Sequence, residues 1–272
     1  MSLPSIKLSD GHEIPQVGLG LWQVKDAAAF NAAFKAAIDA GYRHFDSAQF
    51  YDNEDLLGAA VQQMGLNREE LFITSKVKLP NFGEKRTASS VDGSLAKLQT
   101  SYIDLMLLHF PVTVLRRKSW RALEDAKAAG KIRSIGVSNY TIKHLEEMKT
   151  YAREMPVVNQ VELHVFLQQL ELLDYCREHG IVVEAYSPLA HGKRMQDKVI
   201  TAMAERHGKS YAQIMLRWAI ENSLVVLPKS ITPERIQQNI DIFDFELYPE
   251  ELQEITKLNC NLRTCWDPNH VP

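Results

Sequence analysis

The sequence predicts an α/β fold, a (β/α)8 TIM barrel with an N-terminal β-hairpin and two additional helices. Three observations lead there. Short Val/Ile/Leu-rich runs without polar alternation occur eight times, the pattern of strands buried on both faces of a parallel sheet. Each is followed by an amphipathic helix, as crossovers between parallel strands require. A length of 272 residues accommodates eight such units as a closed barrel better than as a doubly wound sheet. No linker or low-complexity stretch interrupts the chain, so residues 1–272 read as a single domain.

The elements follow in order. IKLSDGHEIP (6–15) holds Asp10-Gly11 between two short extended runs, a hairpin signal. VGLGLW (17–22) is a buried strand; its G-x-G lacks a third glycine and a following helix, so a Rossmann fingerprint fits poorly. Asp26 caps a helix whose Phe30, Phe34 and Ile38 share one face, and Gly41 stops it. A strand ends at Asp46, and the next helix begins near Asn53 with Leu57, Ala60, Val61 and Met64 on one face. The alternation continues with LFITSKV (71–77), a helix marked by Val91, Leu95 and Leu98, and IDLMLLH (103–109). A helix over 119–129, the strand KIRSIGVSN (131–139), a helix near 141–151 and the strand VVNQVE (157–162) come next. A helix near 168–179 leads to IVVEAY (181–186), and two helices, about 196–207 and 210–221, fill the next crossover. LVVLPKS (224–230) is the last strand, TPERIQQNI (232–240) its helix, and PEELQEITKL (249–258) a final helix before an irregular tail.

Bulk properties narrow the class. Apolar residues make up 45%, enough for a large core, and a net charge of −3 argues against nucleic acid or an anionic membrane as partner. The longest apolar runs are strand-sized, too short to span a bilayer, and MSLPSIKLSDGHEIP lacks the pattern of a signal peptide. Cys176, Cys260 and Cys265 are odd in number and have no C-x-x-C spacing, so reduced, structural thiols and a cytoplasmic location are expected; a monomer is a separate expectation.

In a barrel of this kind the site lies at the C-terminal ends of the strands. Those ends carry Asp46, Lys76, His109, Ser138-Asn139, Gln160, Tyr186-Ser187 and Lys229-Ser230, a rim of polar residues hard to explain as packing. The stretch GYRHFDSAQFYDNE (41–54) adds Tyr51 in the loop beyond Asp46. A phenol has an ordinary pKa of about 10, and a neighbouring ammonium, Lys76, is expected to lower it while Asp46 holds Lys76 charged. His109 can orient a substrate oxygen against the Tyr51 hydroxyl. Such a set polarises a carbonyl and gives it a proton, and the missing hydride implies a nicotinamide. Ser138, Asn139 and Gln160 suit its carboxamide, and Tyr186 offers a flat face for the ring. Phosphate recognition has a separate candidate after the last strand: Thr232 at the N-cap and Pro233 at the first position of a helix, with Lys229, Ser230 and Arg235 beside it.

The motifs GYRHFDSAQFYDNE, SKV, LLHFP, GVSNY, NQVE, AYSPL and LPKSITPERIQQN run in that order over most of the chain. Together they resemble the aldo-keto reductase superfamily, and its small, short-loop microbial-type members above all. The resemblance implies an oxidoreductase acting on CH–OH groups, with NADPH/NADP+ as cofactor and a small carbonyl compound as substrate. It implies a catalytic tetrad of Asp46, Tyr51, Lys76 and His109, and no metal. The nicotinamide contacts of the family map onto Ser138, Asn139, Gln160 and Tyr186, and its pyrophosphate contacts onto Ser187 and Leu189. Its 2′-phosphate and adenine contacts map onto Lys229, Ser230, Arg235, Gln238 and Asn239. Ser47 stands where Thr is usual and Phe110 where Trp is usual; Phe110 and Trp22 are expected to line the substrate pocket, with Trp266 from the tail as one wall. The loops after His109 (about 111–118) and after Pro188 are short.

Two other readings stay open on the sequence. One is a non-catalytic NADP(H)-binding regulatory or structural barrel. The other is a metal-dependent barrel hydrolase using His44, Asp46, His109 and His164, which a central Lys76 opposes.

Overall fold

The computed structural model describes residues 3–112 and 114–272; Met1, Ser2 and Thr113 lie outside the described residues. The expectation of a short loop over 111–118 therefore falls partly on Thr113, and the leader reading partly on Met1 and Ser2. A two-stranded hairpin comes first, β1 (Ser5–Lys7) against β2 (Glu13–Pro15), in antiparallel register with Ile6 opposite Ile14. Gly11, at φ 94°, makes the turn as the Asp-Gly pair predicts.

Eight parallel strands follow: β3 (Gly18–Gly20), β4 (His44–Asp46), β5 (Phe72–Val77), β6 (Ile103–Leu108), β7 (Ile132–Ser138), β8 (Val158–Glu162), β9 (Val182–Tyr186) and β10 (Val225–Leu227). Each pairs in parallel with the next in the chain. The ring is completed between the first and last strands by a Val17–Val226 bridge, by Val226 N–H donating to Gln16 O (2.9 Å) and by Gly20 N–H donating to Pro228 O (3.1 Å). β10 ends at Leu227, earlier than the run LVVLPKS predicts, because Pro228 has no N–H to continue the ladder.

The helices are α1 (Ala27–Ala40), α2 (Glu54–Gln63), α3 (Glu84–Leu98), α4 (Arg116–Ala128), α5 (Ile142–Met148), α6 (Leu170–Glu178), α7 (Lys198–His207), α8 (Tyr211–Glu221), α9 (Pro233–Ile240) and α10 (Pro249–Thr256). Eight belong to the barrel alternation, and α7 and α10 are the two additions. Asp26 caps α1 through its side chain, accepting from Ala29 N–H at 2.8 Å, and Gly41 closes it at φ 100°. α4 starts three residues before the expected 119, taking Arg116 into its first turn.

Two hydrophobic cores form. The larger lies between the barrel and its helices. The smaller fills the N-terminal end of the barrel, where Leu8 and Ile14 of the hairpin region pack on Phe72, Leu105, Leu107, Val157, Val158 and Val225. The hairpin is thus a bottom plug, leaving the opposite mouth open.

Candidate active site

At the C-terminal mouth lies a cavity of about 1600 Å³. Its walls include Asp46, Tyr51, His109, Ser138, Asn139, Gln160, Tyr186, Ser187, Leu189, Lys229, Ser230, Thr232, Arg235, Gln238 and Asn239, together with Trp22, Phe110 and Trp266. Of the residues the sequence assigns to the tetrad, the cofactor and the substrate pocket, Lys76 alone does not line it. That side chain is fully buried below the floor and reaches up to the site.

β4 places Asp46 at its last position, and β5 places Lys76 one residue from its end. Lys76 Nζ is 2.6 Å from Asp46 Oδ1, 2.9 Å from Ser47 O and 3.0 Å from the Tyr51 hydroxyl oxygen. All three contacts take hydrogens that an ammonium donates, so its three donors are used. Tyr51 receives one and donates to no group among the described residues, which leaves its own O–H for the cavity. Asp46 Oδ2 in turn accepts from Gln160 Nε2 at 2.8 Å.

The loop carrying Tyr51 is pinned from both sides. Ser47 Oγ donates to Asn53 Oδ1 at 2.7 Å, and Asn53 Nδ2 donates to Leu21 O at 2.9 Å and Val24 O at 3.0 Å. Asn53 therefore occupies the N-cap position of α2 without capping it by its side chain, and ties the Tyr51 loop to the Trp22 loop. Gln49 does the same work on the far side, donating to Ser94 Oγ at 3.0 Å and accepting from Asn81 Nδ2 at 2.8 Å.

Burial dominates the electrostatics. The Tyr51 phenol is pushed up to about 12 by loss of water, with Lys76 pulling the other way and Asp46 raising it further. This corrects the sequence expectation of a lowered value: Lys76 moderates a rise that comes from the dry surroundings. For Lys76 itself, burial favours the neutral amine, but Asp46 and Tyr51 outweigh it and the net shift is upward, so it stays an ammonium. His109 is driven down to about 3 by burial and then by Lys76, which keeps its imidazole neutral. Its Nδ1 is buried with no partner among the described residues, while the ring meets Tyr51 edge-on at 5.8 Å.

β7 ends in Ser138, and Asn139 follows at φ 63°, a left-handed conformation that Asn tolerates. Asn139 Nδ2 donates to His109 O (3.2 Å) and Ser138 Oγ (3.1 Å), and its Oδ1 accepts from the Tyr186 hydroxyl at 2.7 Å. Ser187, at φ 49°, bends the chain away after β9. At the other end of the cavity Thr232 sits at the N-cap of α9 but makes no side-chain cap bond; Ser230 Oγ instead accepts from Thr232 N–H at 3.1 Å. Lys229 and Arg235 are exposed on the cavity wall, and neither makes an ion pair among the described residues.

Sequence reasoning missed several cavity residues. Phe50 stacks on Trp22 (5.6 Å between centroids) and also meets His109 (6.1 Å) and Trp266 (6.3 Å). Its signal was present: a large apolar residue in a turn, next to the phenol. Cys265 also lines the cavity, with Sγ 3.2 Å from His191 Nε2, and nothing in its spacing marks it. The residues weighed for a metal do not converge. His44 Nε2 lies on Thr74 Oγ1 (3.1 Å), His164 Nε2 faces Glu162 Oε1 (3.4 Å), and Lys76 Nζ fills the place a cation would take beside Asp46.

The barrel with this site has a family. The chain belongs to the aldo/keto reductase family, an oxidoreductase family whose model matches residues 16–260. It is 45% identical to glyoxal reductase of Bacillus subtilis over 267 residues, covering 98% of this chain and 97% of that protein. It is 43% identical to methylglyoxal reductase DkgA of Escherichia coli over 268 residues, covering 97% and 96%. A Bombyx mori aldo-keto reductase crystallised in complex with NADP superposes with a TM-score of 0.90 at 35% identity, covering 97% of this chain and 95% of the other.

Proposed function

We propose that the protein reduces small aldehydes and ketones to alcohols with NADPH, α-dicarbonyls of the glyoxal and methylglyoxal type foremost, with Tyr51 as proton donor. The observation that carries this reading is the Lys76 ammonium held between Asp46 and the Tyr51 oxygen, at 2.6 and 3.0 Å, with the phenol hydrogen left toward the cavity.

The residues fit the cofactor. A cavity of about 1600 Å³ exceeds what a small carbonyl compound needs, and its two ends differ in chemistry. Amide and hydroxyl groups of Ser138, Asn139 and Gln160 lie near the tetrad, and Tyr186 stands beside them. Two cations without anionic partners among the described residues, Lys229 and Arg235, flank the start of α9, where a phosphate is favoured. Ser187 and Leu189 lie between, and Gln238 and Asn239 extend the far wall. When bound, NADPH supplies the hydride that no side chain can provide.

This chain's residues do the rest. Neutral His109, with its hydrogen on Nε2, donates to the substrate oxygen and turns it toward Tyr51. Tyr51 passes its proton to that oxygen as negative charge develops there. Lys76 stabilises the phenolate left behind, and Asp46 keeps Lys76 in place. Trp22, Phe50, Phe110 and Trp266 give the mouth aromatic walls. A cytoplasmic monomer, with no metal in the chemistry, completes the reading.

The test is NADPH oxidation followed by absorbance with glyoxal, methylglyoxal and a simple aldehyde, each with and without a chelator. The reading predicts turnover that the chelator leaves unchanged. Tight NADPH binding without turnover of any carbonyl would instead assign a non-catalytic cofactor-binding barrel.

A further inference from the structure

Below the tetrad, in the barrel interior, lies a carboxyl group that the proposed chemistry does not use. Glu184 stands in β9 two residues before Tyr186, so both side chains point to the barrel axis. It is fully buried. Its Oε2 accepts from Gln160 Nε2 at 3.0 Å, and the same nitrogen donates to Asp46 Oδ2 at 2.8 Å. Asp46 is the ion-pair partner of Lys76, so the atom facing it must be the amide nitrogen and not the amide oxygen. Both Gln160 hydrogens are then committed, one to each carboxyl group, and Gln160 Oε1 remains as an acceptor at the cavity.

The other Glu184 oxygen, Oε1, has no hydrogen-bond partner among the described residues. It lies 3.6 Å from His44 Nε2. His44 is also fully buried, and its Nδ1 is 3.3 Å from Pro15 O. A carbonyl oxygen only accepts, so Nδ1 carries the hydrogen, and a neutral ring then presents a lone pair at Nε2. Thr74 Oγ1 is 3.1 Å from that same Nε2. Thr74 donates to that lone pair, so neither ring nitrogen has a hydrogen for Glu184 Oε1: a glutamate anion would stand 3.6 Å from an uncharged ring with no donor, a burial cost that the neutral acid avoids. The place is built for the ring: a Cβ on Gly18 would come within 2.6 Å of His44 Nδ1, so only glycine leaves the space.

We propose that Glu184 is held as the neutral acid and acts as a positioning residue, fixing the Gln160 amide so that its Oε1 faces the nicotinamide side of the cavity. The second half of this statement rests on the reductase reading above; the first does not. The groups that face Glu184 agree with a neutral acid. Asp46 on β4 repels an anion, Lys76 on β5 is already spent on Asp46 and Tyr51, and β10 offers the apolar Val225 in register with Glu184. Burial first, and then Asp46, raise the Glu184 carboxyl to about 8, with Gln160 and Lys76 opposing. His44 is lowered to about 3 by burial first, with Lys76 adding to it, so an ion pair with Glu184 is disfavoured from both sides.

Three measurements test this. In infrared spectra at pH 7, wild type should show a carboxylic-acid C=O band that Glu184→Gln lacks and that fades as pH rises through about 8. A carboxylate at pH 7, free or paired with a protonated His44, overturns the proposal. In urea denaturation the sign follows from the raised folded value. The stability from the neutral acid is complete below the ordinary Glu range and is lost as pH rises through about 8, so the wild-type midpoint should fall relative to Glu184→Gln between about pH 5 and 8. Parallel pH dependence in the two proteins overturns it. For the positioning role, NADPH affinity at pH 7 is read by fluorescence quenching in two variants. Glu184→Leu, which cannot accept from the Gln160 amide, should bind roughly tenfold more weakly than wild type, and Glu184→Gln, whose amide oxygen can still accept, should bind close to it. Affinity equal to wild type in Glu184→Leu removes the positioning role. The infrared and urea experiments involve neither cofactor nor turnover, so their failure is distinguishable from failure of the reductase reading.

Discussion

In the proposed reaction Tyr51 and Lys76 divide one task between them. The phenol would give the proton, and the ammonium 3.0 Å away would make its loss tolerable in a buried site. Tyr51→Phe removes only the donor, so carbonyl reduction should fall by roughly 10²–10⁴-fold while NADPH binding, read by fluorescence quenching, stays close to wild type. Near wild-type turnover in that variant would assign the proton to another group. Lys76→Met should cost nearly as much activity and should also destabilise the fold by about 3–5 kcal/mol, because it strands buried Asp46 without its cation. Unfolding curves that match wild type would contradict that pairing. The polar residues themselves were legible in the sequence, since each stands at a strand end where an apolar one would continue the core. What was not legible is the amount of water around them. Lys76 beside Tyr51 predicts a lowered phenol, yet burial from Trp22, His109 and the barrel wall reverses the sign. Glu184 was overlooked for a related reason: a single carboxylate within IVVEAY gives no hint of its partners on β4 and β8.

Elements position two further contacts. The start of α9 presents Arg235 and Lys229 beside backbone N–H groups that Thr232 leaves uncapped. A charge-assisted contact contributes about 1.5–3 kcal/mol, so Arg235→Ala should weaken NADPH binding roughly 10- to 150-fold and barely alter NADH. The loss should shrink with added salt, because Arg235 is exposed. Equal losses for both cofactors would make Arg235 a support of the fold. The second contact joins β8 to the tail. Glu162 Oε1 accepts from Thr264 N–H at 2.6 Å and from the Thr264 hydroxyl, and Oε2 from Cys265 N–H at 3.0 Å. Burial alone would raise this carboxyl, but His164, Thr264 and the backbone donors outweigh it and hold it at about 2. Its contribution is therefore complete above the ordinary Glu range and is lost as pH falls from there toward about 2. Acidification over that window should free the tail, read as faster amide exchange at residues 263–266, and Glu162→Gln should exchange fast at neutral pH; protection equal to wild type would discount the tether. Turn chemistry made most element boundaries readable, as at Asp26 and Gly41. The tail was not readable, because its path depends on one carboxylate a hundred residues earlier and not on any local pattern.

At the scale of the whole molecule, the hairpin plug and the open mouth separate stability from chemistry. Ile14 is fully buried in the lower core, so Ile14→Ala should cost about 2–5 kcal/mol in urea unfolding while leaving the KM for the carbonyl substrate unchanged. A changed KM would mean that the plug and the mouth are coupled. The eightfold alternation was readable because strand and helix periods are local; the closure of the ring was not. That closure has a kinetic side. Val17 and Val226 meet although roughly two hundred residues separate them, and among the described residues the edges of β3 and β10 have no other strand to pair with. During synthesis β3 must wait with one edge unpaired until the last barrel strand has emerged, a template for pairing with a neighbouring chain. The chain is then most prone to aggregate while it lacks its final fifty residues, and refolding at rising protein concentration would lose yield at this step first.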